Sequence, residues 1–157
     1  FAFYAPMGYD IGNVIANMFF AWCNGDATIE DSEEKEKFCG WVLDTIEEIV
    51  DQFIAKFTVS FKENVTDTMA KTEGFMEWYL DGVLRDTAAV AGFESVRRTV
   101  GMANVKDITS ISDEKKRARA EKIIITLAKD YIMNRETSFK SGADYINAIK
   151  KAISKFS

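Results

Sequence analysis

The chain has 157 residues, 47% of them apolar and 29% charged, which is one domain's worth of sequence and too apolar for disorder. Twenty basic against 25 acidic residues give a net charge of −5, and this excludes a general nucleic-acid binder, whose affinity rests on neutralising phosphates. There is no histidine, so the chain itself offers no imidazole base or ligand. Two isolated cysteines, Cys23 and Cys39, supply neither a zinc site nor a disulfide scaffold, and read as reduced thiols of a cytoplasmic protein. No run reaches the ~18 apolar residues of a membrane span, so no membrane partner is expected. The opening Phe1-Ala2-Phe3-Tyr4 lacks both an initiator Met and the features of a signal peptide. Such apolar residues need cover, and the chain is expected to begin at a cut.

The only proline, Pro6, lies in this opening stretch, and the remainder reads as helices. Asp10 is placed to cap a first helix, in which Ile11, Val14, Ile15, Met18, Phe19 and Trp22 share one face. Gly12 and Ala16 form a second stripe of small residues where another backbone can approach. Asn24-Gly25-Asp26 reads as the end of this helix. Thr28 and Asp31 have capping-box spacing, with Ser32 an alternative start. A long second helix then carries Phe38, Val42, Ile46, Ile49, Phe53 and Phe57 and runs to about Asn64. Residues 65–73 read as a loop.

A third helix starts at Gly74 and holds Met76, Leu80, Val83 and Leu84. Gly92 marks an expected bend, after which Phe93, Val96 and Val100 share a face. Residues 108–112 read as a loop with Ser112 as a cap. The next helix is lined by Ala120, Ile124, Leu127 and Tyr131, and a box of Ser141 and Asp144 opens the last, which carries Tyr145, Ile146, Ile149 and Ile153. The whole is predicted to be a single all-α unit over residues 1–157.

Candidate chemistry is sparse. There is no glycine-rich phosphate loop and no nucleophile elbow. The run Lys115-Lys116-Arg117-Ala118-Arg119 is either a solvated helix face or a site for phosphate or an acidic partner. Arg97-Arg98, set in an apolar stretch, is either a helix-end salt bridge or a recognition fork for an anion or a sugar, to which the rigid guanidinium is suited. Asp10 is either a plain cap or part of a functional loop. A free-standing helical module that holds a partner on its aromatic stripes also fits these residues.

Two separated stretches carry a resemblance. Phe1-Ala2-Phe3-Tyr4-Ala5-Pro6-Met7-Gly8-Tyr9-Asp10-Ile11-Gly12, continued by Val14-Ile15-Ala16-Asn17, is similar to a motif of the 5-methylthioribose kinases of methionine salvage. The family's version reads close to FAFYGPMGFDIG, from which Ala5 and Tyr9 depart mildly. Further along, Gly92-Phe93-Glu94-Ser95-Val96-Arg97-Arg98-Thr99-Val100-Gly101-Met102-Ala103 resembles the family's twin-arginine helix, and Tyr79-Leu80 and Asp86-Thr87 fit its pattern.

The resemblance implies a protein-kinase-like fold related to choline kinases and aminoglycoside phosphotransferases. It implies transfer of the ATP γ-phosphoryl to the 1-hydroxyl of S-methyl-5-thioribose, with Mg2+ as metal. It implies a cytoplasmic enzyme that forms a homodimer. An Asp-x-Glu metal motif would stand just before Phe1, with an HGD loop further upstream. The chain would then be the helical part of the C-terminal lobe, partnered by the N-terminal lobe of the same protein and inactive alone, binding neither ATP nor metal by itself. Arg97 and Arg98 match the sugar-binding twin arginines. Asp10 matches an aspartate that braces the catalytic loop without touching substrate, and Phe1, Phe3 and Tyr4 would pack behind the metal site. A kinase of the same superfamily acting on another small hydroxyl compound is the neighbouring expectation.

Overall fold

A computed structural model of the chain describes residues 4–156. Six α-helices follow one another: α1 Gly8–Thr28, α2 Ser32–Asn64, α3 Phe75–Thr99, α4 Lys106–Thr109, α5 Glu114–Met133 and α6 Gly142–Ser154. Among the described residues there is no strand, and no helix is long and apolar enough to cross a membrane. Phe1 and Phe3 lie outside the described residues.

Helix α1 is the central element, packed against α2, α3, α4 and α5. Both of its expected stripes are used, except that Val14 is turned outward and exposed. Ile15, Phe19 and Trp22 are buried on the large-residue face, and Gly8, Gly12 and Ala16 are buried with them. The small residues let α3 approach to backbone contact, since a Cβ on Gly12 would lie 2.6 Å from the Thr87 carbonyl oxygen and one on Gly8 would lie 2.6 Å from that of Val83. Because Gly8 meets residues 83–87 and Gly12 meets 87–91, the two helices run in the same direction where they touch.

The first helix differs from the sequence reading at both ends. Its cap position is Met7, with no side-chain cap, and Asp10 sits inside the first turn, where its charge still favours the helix dipole. Pro6 sets the earlier start, its carbonyl accepting from the Tyr9 amide at 2.9 Å. At the other end the helix passes through Asn24-Gly25-Asp26 to Thr28. Gly25 there is a packing position, pressed against the Phe38 ring, rather than a stop.

Asp31, not Thr28, caps α2, accepting from the Glu34 amide at 2.8 Å, while the Thr28 hydroxyl donates back to the Asn24 carbonyl. The predicted end at Asn64 is the observed one. Val42 and Ile46 of its stripe are fully buried, and Val50 beside them. Beyond them Phe57 and Phe61 leave the main core and meet Phe75 and Tyr79 of α3 in a half-buried aromatic cluster with centroids 5.6–6.5 Å apart. The intervening segment holds one 3₁₀ turn, Met69–Lys71. Gly74, at φ +80°, supplies the left-handed residue that turns the chain into α3.

Helix α3 is continuous through Gly92. Gly92 lets α5 in, packing against Ile132 and the Ala128 carbonyl. The face shared by Phe93 and Val100 is turned outward, these residues being 59% and 68% exposed. The buried face is the small and polar one: Thr87, Ala88, Ala91, Gly92, Glu94 and Ser95. Residues 106–109 form a helical turn that buries Ile108 and takes in the first two residues of the expected 108–112 loop, and Asp113 rather than Ser112 caps α5, accepting from the amides of Lys115 and Lys116.

The Ser141–Asp144 capping box forms as read from the sequence, and Asp51 of α2 adds a bond from the Gly142 amide at 2.7 Å. Phe139, at φ +65°, packs with Tyr131 and Tyr145 in a closed aromatic trio.

Two mutations test this packing. Gly12→Val should destabilise the chain by more than about 3 kcal/mol, because the clash is with backbone that cannot repack; a denaturant midpoint near wild type would contradict the close approach. The Tyr131 and Tyr145 hydroxyls are buried and have no partner among the described residues. Tyr131→Phe should therefore hold or raise stability, by up to about 1 kcal/mol, and a clear loss on denaturation would contradict this.

Candidate functional site

The last turns of α3 bring Glu94, Arg97 and Arg98 onto one side of the helix by their i, i+3, i+4 spacing. Glu94 is the only charged residue buried among those described, at 5% exposure. Its Oε2 accepts from Arg97 Nε at 2.9 Å and Nη2 at 2.5 Å, and its Oε1 accepts from Arg98 Nε at 2.8 Å. Burial pushes the Glu94 carboxyl up, but the hydrogen bonds from Arg98 and Arg97 and their two charges outweigh it and hold the group below the usual carboxylate range. The arginines also face the carbonyl end of the helix, where positive charge is favoured.

The chain beyond α3 is tied to the same residues. Arg98 Nη1 donates to the Ala103 carbonyl at 3.3 Å, and the Arg98 carbonyl accepts from the Val105 amide at 3.2 Å. Gly101 lies against the Arg97 carbonyl, where a Cβ has no room. Asn24 of α1 then donates to the Asp107 carbonyl at 2.6 Å, fixing the following turn to the core. The outer surface around the arginines is apolar and open: Phe93, Val100 and Met102 are all exposed, and the Arg97 side chain is 53% exposed.

The helix-end salt bridge is the reading of the arginine pair that the structure contains. It occupies only the inner edges of the two guanidiniums and leaves outward donors. Asp10 is not drawn into this cluster: it is exposed, and no hydrogen bond or ion pair among the described residues joins it to either arginine. Tyr4 is likewise exposed.

The basic run resolves into separate roles. Lys116 Nζ donates to the Ala27 carbonyl at 2.8 Å, and Arg119 bonds Asp26 at 2.5 Å and the Phe156 carbonyl at 2.8 Å. These two cations stitch α5 to α1 and to the C-terminal segment, and Arg117 pairs only loosely with Glu121. The sequence singled out the run but not these partners, which lie far away along the chain. Glu94 lies within the second motif, where the sequence assigns it no role. Its i+3 and i+4 spacing from the two arginines is the signal that the sequence carries, and its burial depends on tertiary packing.

An all-α chain with this arginine-bearing helix end is consistent with the helical part of the C-terminal lobe of a kinase-like enzyme. Comparison with known proteins gives the particular relation. The chain is 32% identical over 132 residues to the methylthioribose kinase of Bacillus pumilus (strain SAFR-032), covering 84% of this chain and 31% of the relative. It is 32% identical over 137 residues to that of Geobacillus sp. (strain WCH70), covering 87% and 32%, and 31% identical over 135 residues to that of Yersinia pseudotuberculosis serotype O:1b (strain IP 31758), covering 85% and 32%. No family model matches. The chain is homologous to a segment of methylthioribose kinases and spans about a third of the length of the curated relatives it matches.

The lowered Glu94 carboxyl has a consequence for stability. Its native value lies below its unfolded value, so its contribution is fully present above the ordinary glutamate value of 4.5 and is lost as pH falls through the native one. Thermal unfolding of wild type and Glu94→Gln should therefore converge as pH is lowered through that range. A difference independent of pH would contradict the pairing.

Proposed function

We propose that the protein to which this chain belongs is an ATP-dependent S-methyl-5-thioribose kinase, and that residues 1–157 form one helical C-lobe segment supplying the sugar-binding arginines. The observation that carries this reading is the pair Arg97 and Arg98, held on a buried glutamate with donors left outward, in a chain homologous to methylthioribose kinases over most of its length. In the reaction the chain's own residues bind and orient. One guanidinium forks onto sugar hydroxyls, and the other faces the oxygen side of the transferring group, where preplaced positive charge favours phosphoryl transfer. The exposed Phe93, Val100 and Met102 give the site an apolar margin suited to a thioether-bearing sugar. Asp10, in the first turn of α1, acts in this reading as a brace for the catalytic loop and touches no substrate.

ATP supplies the phosphoryl group and Mg2+ its charge neutralisation, and both belong to the rest of the full-length protein. Among the described residues no group of three His, Cys, Asp or Glu side chains is placed to hold a metal ion, and the roles given to Arg97 and Arg98 need neither group. The N-terminal lobe of the same protein is the proposed neighbour of the open face, and a cytoplasmic homodimer the proposed assembly.

In the full-length protein, Arg97→Ala is expected to lower kcat/KM for the thioribose by about 2–5 kcal/mol of transition-state binding, the usual cost of removing one partner of a charged hydrogen bond in a closed site. Arg98→Ala should act in the same direction. Steady-state kinetics near wild type in both single variants would refute the substrate role.

A further inference from the structure

Glu94 is more deeply buried than a helix-end ion pair requires. A surface carboxylate at the same spacing would stabilise the helix as well, without the cost of taking a charge out of water. What burial adds is commitment of both oxygens. Each takes the inner edge of one guanidinium, and among the described residues Arg97 Nη1 and Arg98 Nη2 remain without a partner. Arginine side chains lose much rotamer freedom when they grip a ligand, and a pair already ordered on a buried anchor loses less. The three side chains together carry one net positive charge, where the bare arginines would carry two.

We propose that Glu94 is a positioning residue of the sugar site, one that locks Arg97 and Arg98 into a single fork and trims their charge so that the pair favours a neutral polyol over a phosphorylated one. This rests on the substrate-binding reading given above. With the trimmed charge, ground-state recognition comes from directional hydrogen bonds to hydroxyls, and the one remaining positive charge is what faces the transferring group. Without it, the doubled positive charge would hold phosphate, and with it the phosphorylated product.

The test uses three sets of variants of the full-length protein, with the KM for the thioribose, the KM for ATP and inhibition by inorganic phosphate as readouts. Glu94→Gln is expected to raise the sugar KM about tenfold, the loss of roughly one charged hydrogen bond, to leave the ATP KM unchanged, and to tighten phosphate inhibition. Glu94→Asp keeps the charge but shortens the reach, so it should raise the sugar KM without tightening phosphate inhibition.

A wild-type sugar KM in both variants overturns the inference. So does a parallel rise in both KM values, which marks a merely structural role, or a Glu94→Gln enzyme with unchanged phosphate inhibition. If Glu94→Gln fails to fold, Glu94→Asp decides alone, and a wild-type sugar KM there overturns the proposal. Arg97→Ala and Arg98→Ala separate the two levels: wild-type sugar KM in both removes the substrate-binding reading itself, whereas impaired arginine variants beside wild-type Glu94 variants remove only this inference.

Discussion

The architecture depends on how closely α1 and α3 approach. Gly8 and Gly12 bring the α1 backbone against the carbonyls of Val83 and Thr87, leaving no room for side chains at the contact. That contact sets the rotation of α3, and the rotation decides which of its residues are buried. With Thr87, Ala88, Ala91 and Ser95 turned inward, Glu94 is drawn beneath the surface and Phe93 is pushed out of it. Larger residues at the α1 contact would separate the two helices at Val83, Thr87 and Ala91.

The polar groups on this inner face are satisfied locally, which makes such a small-residue face tolerable. Thr87 and Ser95 donate back to the Val83 and Ala91 carbonyls at 2.9 and 2.7 Å, so neither hydroxyl demands a partner from α1. Among the described residues Glu94 is satisfied by the two arginines. The electrostatics of the helix end are therefore self-contained, and the outward surface is left for whatever the rest of the protein brings. Elsewhere the same economy recurs at longer range, with Lys116 and Arg119 reaching α1 and Arg85 and Lys140 tying α3 to the segment before α6.

Much of the fold was legible in the residues because it is made of local signals. The stripe of α1, the end of α2 at Asn64, the lining of α5 and the Ser141–Asp144 box all follow from periodicity and capping chemistry within a few residues. The misreadings have local causes that single-helix patterns hide. Gly25 looks like punctuation in a single helix, but it marks the place where a second element crosses, against Phe38. Asp10 looks like a cap, but Pro6 starts the helix earlier. The aromatic-rich motif pointed toward a kinase relation and the comparisons bear this out, though its first three residues lie outside the described structure.

By itself, the sequence determined that the chain is all-α, that Gly12 and Ala16 form a close-approach stripe, and that Arg97 and Arg98 stand together near a helix end. These are consequences of spacing along a single helix, which the order of residues fixes. Only the tertiary structure decided that Glu94 is buried, that both arginines share it, and that Phe93 and Val100 face outward while smaller residues fill the core. Burial depends on the angle and distance at which helices cross, and those are set by residues far apart in the chain, such as Gly12 and Thr87, whose contact no local pattern records.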